Sequence, residues 1–142
     1  MSNEQLFSLA DANALIPRLE MILERMQRVY LHIRQAIELL AVNSDQCAHD
    51  MTITQLLQIK PELRPFFADL SQAVHDIENL GGNFKGLELG LVDFPGQIDG
   101  KIVELCWQYG EKQIAYYHSP EEGFAGRRPI YPDSVHLRSY HH

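Results

Sequence analysis

Leu91-Val92-Asp93-Phe94-Pro95, then Leu105-Cys106-Trp107-Gln108-Tyr109-Gly110-Glu111, then Tyr116-Tyr117-His118 form the stretch that decides the fold. The hydrophobic period here is 2, the alternation of a half-buried strand. Leu87, Leu89 and Leu91 alternate with Glu88 and Gly90, and Val92-Asp93-Phe94 then ends at Pro95-Gly96. Ile102 to Tyr109 and Lys112 to His118 follow, separated by Gly110-Glu111. The pattern predicts a three-stranded antiparallel meander over 84–118, its last turn a two-residue Gly-X hairpin.

Register decides which side chains meet, because a one-residue slip turns every side chain to the other face. A turn at Gly110-Glu111 pairs Trp107 with Ile114 and Leu105 with Tyr116, and sets Val103 opposite His118. That gathers Val103, Leu105, Trp107, Ile114 and Tyr116 on the core face, with Cys106 on the other. A three-residue turn shifts the pairing and brings Glu104, Cys106, Tyr116 and His118 together. The first register collects the apolar residues better and is the expected one. It separates Cys106 from His118 and argues against a Cys-His nucleophile.

Working outward, the chain before the meander changes period. Ser8 can cap a first helix with Asp11 three residues on, and Pro17 falls where a helix restarts or kinks. Leu19, Ile22, Met26, Val29, Ile33, Ala36 and Leu40 then follow a 3-4 spacing, widened by Leu23, Tyr30 and Ile37. This predicts a bundle-type helix over 17–41, about 37 Å long. Val42 to Pro61 reads as loop, then a short helix capped near Thr52 or Thr54. The stripe returns at Leu63, Phe66, Leu70, Ala73, Ile77 and Leu80, and Gly81-Gly82 stops it. Two matching stripes predict a long antiparallel helical hairpin, with the helical part over 8–81 and a homodimer through these helices.

The 142 residues suit a single domain, with 45% apolar and 22% charged content ordinary for a soluble α+β protein. A formal charge of −7 disfavours binding to nucleic acid or anionic membrane. No signal-peptide pattern or apolar run of about 20 residues is visible. Cys47 and Cys106 are too few for a disulfide framework. A cytoplasmic protein is expected.

The chemistry-bearing residues cluster late. Gly123-Phe124-Ala125-Gly126-Arg127-Arg128-Pro129 lets backbone amides converge beside paired guanidiniums, which grip a phosphate or carboxylate bidentately. The same arginines can instead be struts to Asp93, Glu104 or Glu111. Asp93, in an apolar run, is placed to bind turn amides or pair with Arg127 or Arg128. Cys106 reads as a small packed residue, and His118 as a strand-end histidine. Asp45, Cys47, His49 and Asp50 cluster without a second half, and His136, His141 and His142 decorate the 119–142 loop and tail. No metal site, cofactor motif or catalytic residue is assigned.

The chain also resembles a family of small prokaryotic proteins, domain of unknown function 2203. The matching pieces are Phe7-Ser8-Leu9-Ala10-Asp11-Ala12-Asn13-Ala14-Leu15-Ile16-Pro17, Gly90-Leu91-Val92-Asp93-Phe94-Pro95, Leu105-Cys106-Trp107, Gly110-Glu111, Tyr117-His118 and the Gly123–Pro129 block. The resemblance implies a charged helical pair followed by this β segment, and it implies no activity. Val42 to Pro65 departs from the plainer helix expected there. The expectation is a cytoplasmic binding module taking a small anionic ligand or an acidic partner segment. Its site would be formed by Phe124, Gly126, Arg127, Arg128, Asp93 and His118. The rival is a metal-dependent enzyme using Asp93, Glu104 or His118.

Overall fold

Ser8 caps the first helix as its spacing predicts: its side chain accepts a hydrogen bond from the Asp11 amide at 3.0 Å. A computed structural model describes residues 5–43 and 51–130 of the chain. The Asp45-Cys47-His49-Asp50 cluster and the tail histidines lie outside the described residues. Helix α1 is Leu9–Asn13, α2 is Ile16–Asn43, α3 is Ile53–Ile59 and α4 is Arg64–Asn79. Thr52 caps α3, its side chain and that of Gln55 each bonding the other's backbone amide. Gly81, at φ +98°, takes the left-handed conformation that ends α4.

The predicted stripes face inward: Leu19, Leu23, Met26 and Ile33 of α2 and Ala73 and Ile77 of α4 are buried. Arg25 reaches Asp69 and Asp76, and His32 stacks on Phe66, so contacts between α2 and α4 step in opposite senses. The connection is more than a plain hairpin loop, since α3 and a 3-10 turn at Pro61–Leu63 lie within it.

The β part is larger than expected. The sheet is antiparallel with five strands in the order β1 (Asn83–Gly86), β2 (Leu91–Ile98), β3 (Lys101–Gln108), β4 (Tyr116–His118) and β5 (Arg128–Pro129). The expected turn at Pro95-Gly96 is not there, because β2 continues through both residues. The turn falls at Asp99-Gly100, both at positive φ (55° and 78°), and Asp-Gly is itself a strong hairpin signal. Pro95 is tolerated because β1 pairs only with Leu91–Asp93, leaving an edge. Phe7 uses that edge, its amide donating to the Pro95 carbonyl at 2.7 Å.

The register of the last hairpin is also corrected. Glu104 pairs with His118, Leu105 with Tyr117 and Cys106 with Tyr116, one residue away from the expected pairing. Gly110-Glu111 does turn the chain, the Glu111 amide donating to the Gln108 carbonyl, but β4 begins only at Tyr116. Two hydrogen bonds hold the intervening residues off the sheet. The Trp107 indole donates to the Glu111 carbonyl at 2.9 Å, and the Ile114 amide donates to the Asn13 side chain at 2.7 Å.

One sheet face carries the core. Val92, Phe94, Val103, Leu105 and Trp107 meet Leu19, Leu23 and Ile77 from the helices. Tyr117, rather than Tyr116, packs against this cluster. Each large side chain buried there contributes about 1.5–3 kcal/mol. Strand alternation turns Asn83, Asp93, Glu104, Cys106 and His118 to the other face.

Candidate functional site

The outer sheet face is roofed by the chain that follows β4. Pro120, Gly123 and Phe124 stand over Asp93, Cys106 and His118, enclosing a cavity of about 400 Å³. Asn83 and Lys85, both exposed on β1, form its rim. Gly123 sits at φ +68° where this chain bends, a conformation that suits glycine.

At the floor, His118 Nε2 lies 2.9 Å from Asp93 Oδ2, and both residues are almost fully buried (3% and 2% exposed). His118 Nδ1 is 2.8 Å from the Ser119 carbonyl. A carbonyl only accepts, so Nδ1 carries the hydrogen and Nε2 is the atom turned to Asp93. The other oxygen, Asp93 Oδ1, is buried without a hydrogen-bond partner among the described residues. Cys106 Sγ completes the group: one ligand atom each from Asp93, Cys106 and His118 lie within 4.8 Å of one another. The shifted register brings Cys106 and His118 to one face, which the expected pairing had denied.

Arg127 backs the sulfur. Its Nε donates to Cys106 Sγ at 3.3 Å, and its terminal nitrogen donates to Glu111 Oε1 at 2.6 Å. The guanidinium also lies 4.2 Å from the Tyr116 ring centroid and 5.3 Å from that of Phe124. Burial pushes the Cys106 thiol up to about 11, partly offset by the hydrogen bond from Arg127. Desolvation, the largest single contribution, lowers Arg127, but the hydrogen bonds it donates to Glu111 and Cys106, with their charges, raise it further, so its net shift is upward.

The residues singled out in the sequence are therefore divided. Asp93, His118, Glu104 and Phe124 line one cavity. Asp93 pairs with His118 rather than with either arginine. Arg127 is a strut to Glu111, its side chain only 13% exposed, whereas Arg128 points outward and pairs with Glu122. Gly126 ends the 3-10 turn Phe124–Gly126 and packs its backbone against Glu122. Cys106 was passed over as packing, although the alternative register pointed to it. Asn83 and Lys85 gave no signal, since β1 itself was not foreseen.

No curated protein and no solved structure matches the chain. The model of one family, described as "Uncharacterized conserved protein (DUF2203)", matches residues 5–130. The shared span takes in the helices, the sheet and the roofed cavity, and the chain belongs to this DUF2203 family.

Proposed function

We propose that the protein binds a divalent metal ion of the zinc class through Asp93, Cys106 and His118, as a binding domain whose metal keeps one position open to the cavity. The observation that carries this is the Asp93–His118 contact. With Nδ1 committed to a carbonyl, a neutral His118 turns a lone pair toward a carboxylate oxygen 2.9 Å away. Two acceptors at that distance need a positive partner between them, either a proton or a metal. The buried, unpartnered Asp93 Oδ1 and the neighbouring sulfur favour the metal. A histidine that donates its other ring hydrogen to a backbone carbonyl is the usual support of a metal ligand. Mixed N, O and S donors suit zinc, and three protein ligands with a fourth position open is the arrangement of reactive rather than purely structural zinc.

Tetrahedral bonds of about 2.0–2.3 Å set neighbouring ligand atoms about 3.3–3.6 Å apart. The present separations therefore adjust in both directions on binding: the 2.9 Å contact between His118 Nε2 and Asp93 Oδ2 opens by about 0.4 Å, and a separation of up to 4.8 Å closes by about 1 Å, both by side-chain rotation. Arg127 stays hydrogen-bonded to the sulfur and balances the thiolate.

The test is cobalt(II) added to the full chain. A thiolate-to-cobalt charge-transfer band is expected, lost in Cys106→Ala and in His118→Ala. Because Cys47 and the tail histidines can also take metal, a band that survives Cys106→Ala counts against the site. The second reading is an anion held directly at the Arg127-Arg128 loop with Gly126 and Phe124. Its support is the Arg128 side chain, 57% exposed. It requires phosphate to raise the melting temperature of the wild type but not of Arg128→Ala.

A further inference from the structure

A second groove lies between α2 and α4, with a volume of about 460 Å³. Met21, Ile22 and Leu80 give it an apolar floor, and Arg18, Arg25 and Arg28 stand along it. Met21 is 72% exposed, more than any other large apolar side chain among the described residues. Arg25 is engaged, lying 3.3 Å from Asp69 and 3.4 Å from Asp76. Arg18 and Arg28 are exposed and make no ion pair among the described residues. The helix neighbours three or four places from Arg18 are Ala14, Leu15, Met21 and Ile22, none of them acidic. Glu24, one turn before Arg28, accepts instead from the Tyr109 hydroxyl at 3.5 Å. We infer that this groove docks an acidic amphipathic segment of a partner protein, its carboxylates on Arg18 and Arg28 and an apolar side chain between them on Met21 and Ile22. The inference does not depend on the metal reading.

Spacing selects the class. Arg18 and Arg28 stand ten positions apart on one helix, a rise of about 15 Å. No single small anion bridges that span, whereas two carboxylates on one peptide segment do. Each guanidinium stays charged and presents a planar fork that matches a carboxylate. Arg18 also lies in the first turn of α2, which holds no acidic residue, so a carboxylate arriving there meets the positive helix end as well. Protein–protein interfaces are enriched in arginine and methionine and set an apolar centre within a polar rim. Met21 and Ile22 between the two arginines repeat that order. A phosphate polymer fits less well, since two separated guanidiniums on a chain of formal charge −7 offer it little counter-charge.

The experiment follows the anisotropy of a labelled, alanine-based helical peptide titrated with the full chain. The peptide carries glutamates spaced by about 15 Å with one leucine between them, and its counterpart has glutamine in place of glutamate. The glutamate peptide is expected to bind saturably, and the glutamine peptide about tenfold or more weaker. Arg18→Glu and Arg28→Glu are each expected to weaken the glutamate peptide by a similar factor, and Met21→Ser to weaken it as well. Lys101→Glu makes the same change of charge at an exposed position outside the groove and is expected to leave the affinity in place. Urea midpoints of the variants confirm that each is folded, and Arg18→Gln and Arg28→Gln are expected to give a smaller loss in the same direction. No binding of the glutamate peptide, equal binding of the glutamine peptide, or an equal loss in Lys101→Glu overturns the inference. Tighter binding of a single-stranded oligonucleotide or of phosphatidylserine vesicles, dependent on Arg18 and Arg28, overturns the protein partner. Sedimentation in which Met21→Glu dissociates a dimer of the chain places a second copy in the groove and overturns it likewise.

Discussion

His118 reaches Asp93 across an intervening strand: β3 separates β4 from β2, yet Nε2 and Oδ2 are 2.9 Å apart. Asp93 pairs in register with Cys106, and His118 pairs with Glu104, so the side chains meet diagonally above β3. The contact ties three strands together on a face that carries no large hydrophobic layer. It is also the polar centre of the cavity, and stability and binding are therefore expected to respond together there.

In metal-free protein, His118→Ala strands a buried carboxylate. The expected loss is about 3–5 kcal/mol, the range for breaking a buried charged pair. Urea unfolding of chelator-treated wild type and variant measures it. A loss near zero would show that the pair is not coupled in the folded state.

The two adjacent arginines should behave oppositely. Arg127→Ala removes the partner of Glu111 and the donor to Cys106, at an expected cost of roughly 2–4 kcal/mol, somewhat below the fully buried range because both side chains are partly exposed. Arg128→Ala should stay within about 0.5 kcal/mol, since its pair with Glu122 is at the surface. Thermal melts of the two variants side by side decide the matter, and equal effects would contradict the assignment of strut and surface residue.

Gly82 and Gly96 allow close approach of the backbone to the core. A methyl on Gly82 would come within 2.8 Å of Val92 Cγ1, and one on Gly96 within 2.8 Å of Leu105 Cγ and Cδ1. Either Gly→Ala change is expected to destabilise by about 1–3 kcal/mol through overpacking. Gly100→Ala meets no atom within 4 Å and should cost only its backbone strain at positive φ. Denaturant midpoints that rank Gly100→Ala worst would refute the packing explanation.

We propose that the apolar stripe of α2 also joins two copies of the chain. Beyond Ile33 no described residue of α2 is buried, yet Ala36, Ile37 and Leu40 continue the stripe half-exposed, and Leu39 is 60% exposed. Sedimentation is expected to give a dimer at micromolar concentration for the wild type and a monomer for Ile37→Glu. A monomeric wild type in low and moderate salt rules the proposal out.

Among the described residues, no helix is long and apolar enough to cross a membrane. What the sequence determined by itself was local. The spacing of Leu19, Met26 and Ile33, the Ser8 cap and the Gly81 stop each follow from interactions within a few residues. The assignment of Trp107 and Leu105 to one face and Cys106 to the other also needed only the two-residue period of a strand. Tertiary structure decided the register of β4, because Asn13 and the Trp107 indole, remote from the turn or folded back onto it, bond Ile114 and Glu111 and hold residues 110–114 off the sheet. It likewise decided the fate of the arginines, since Glu111 captures Arg127 from 16 positions away. A site built from four strands depends on which residues stand opposite one another, and a one-residue slip was enough to hide the meeting of Asp93, Cys106 and His118.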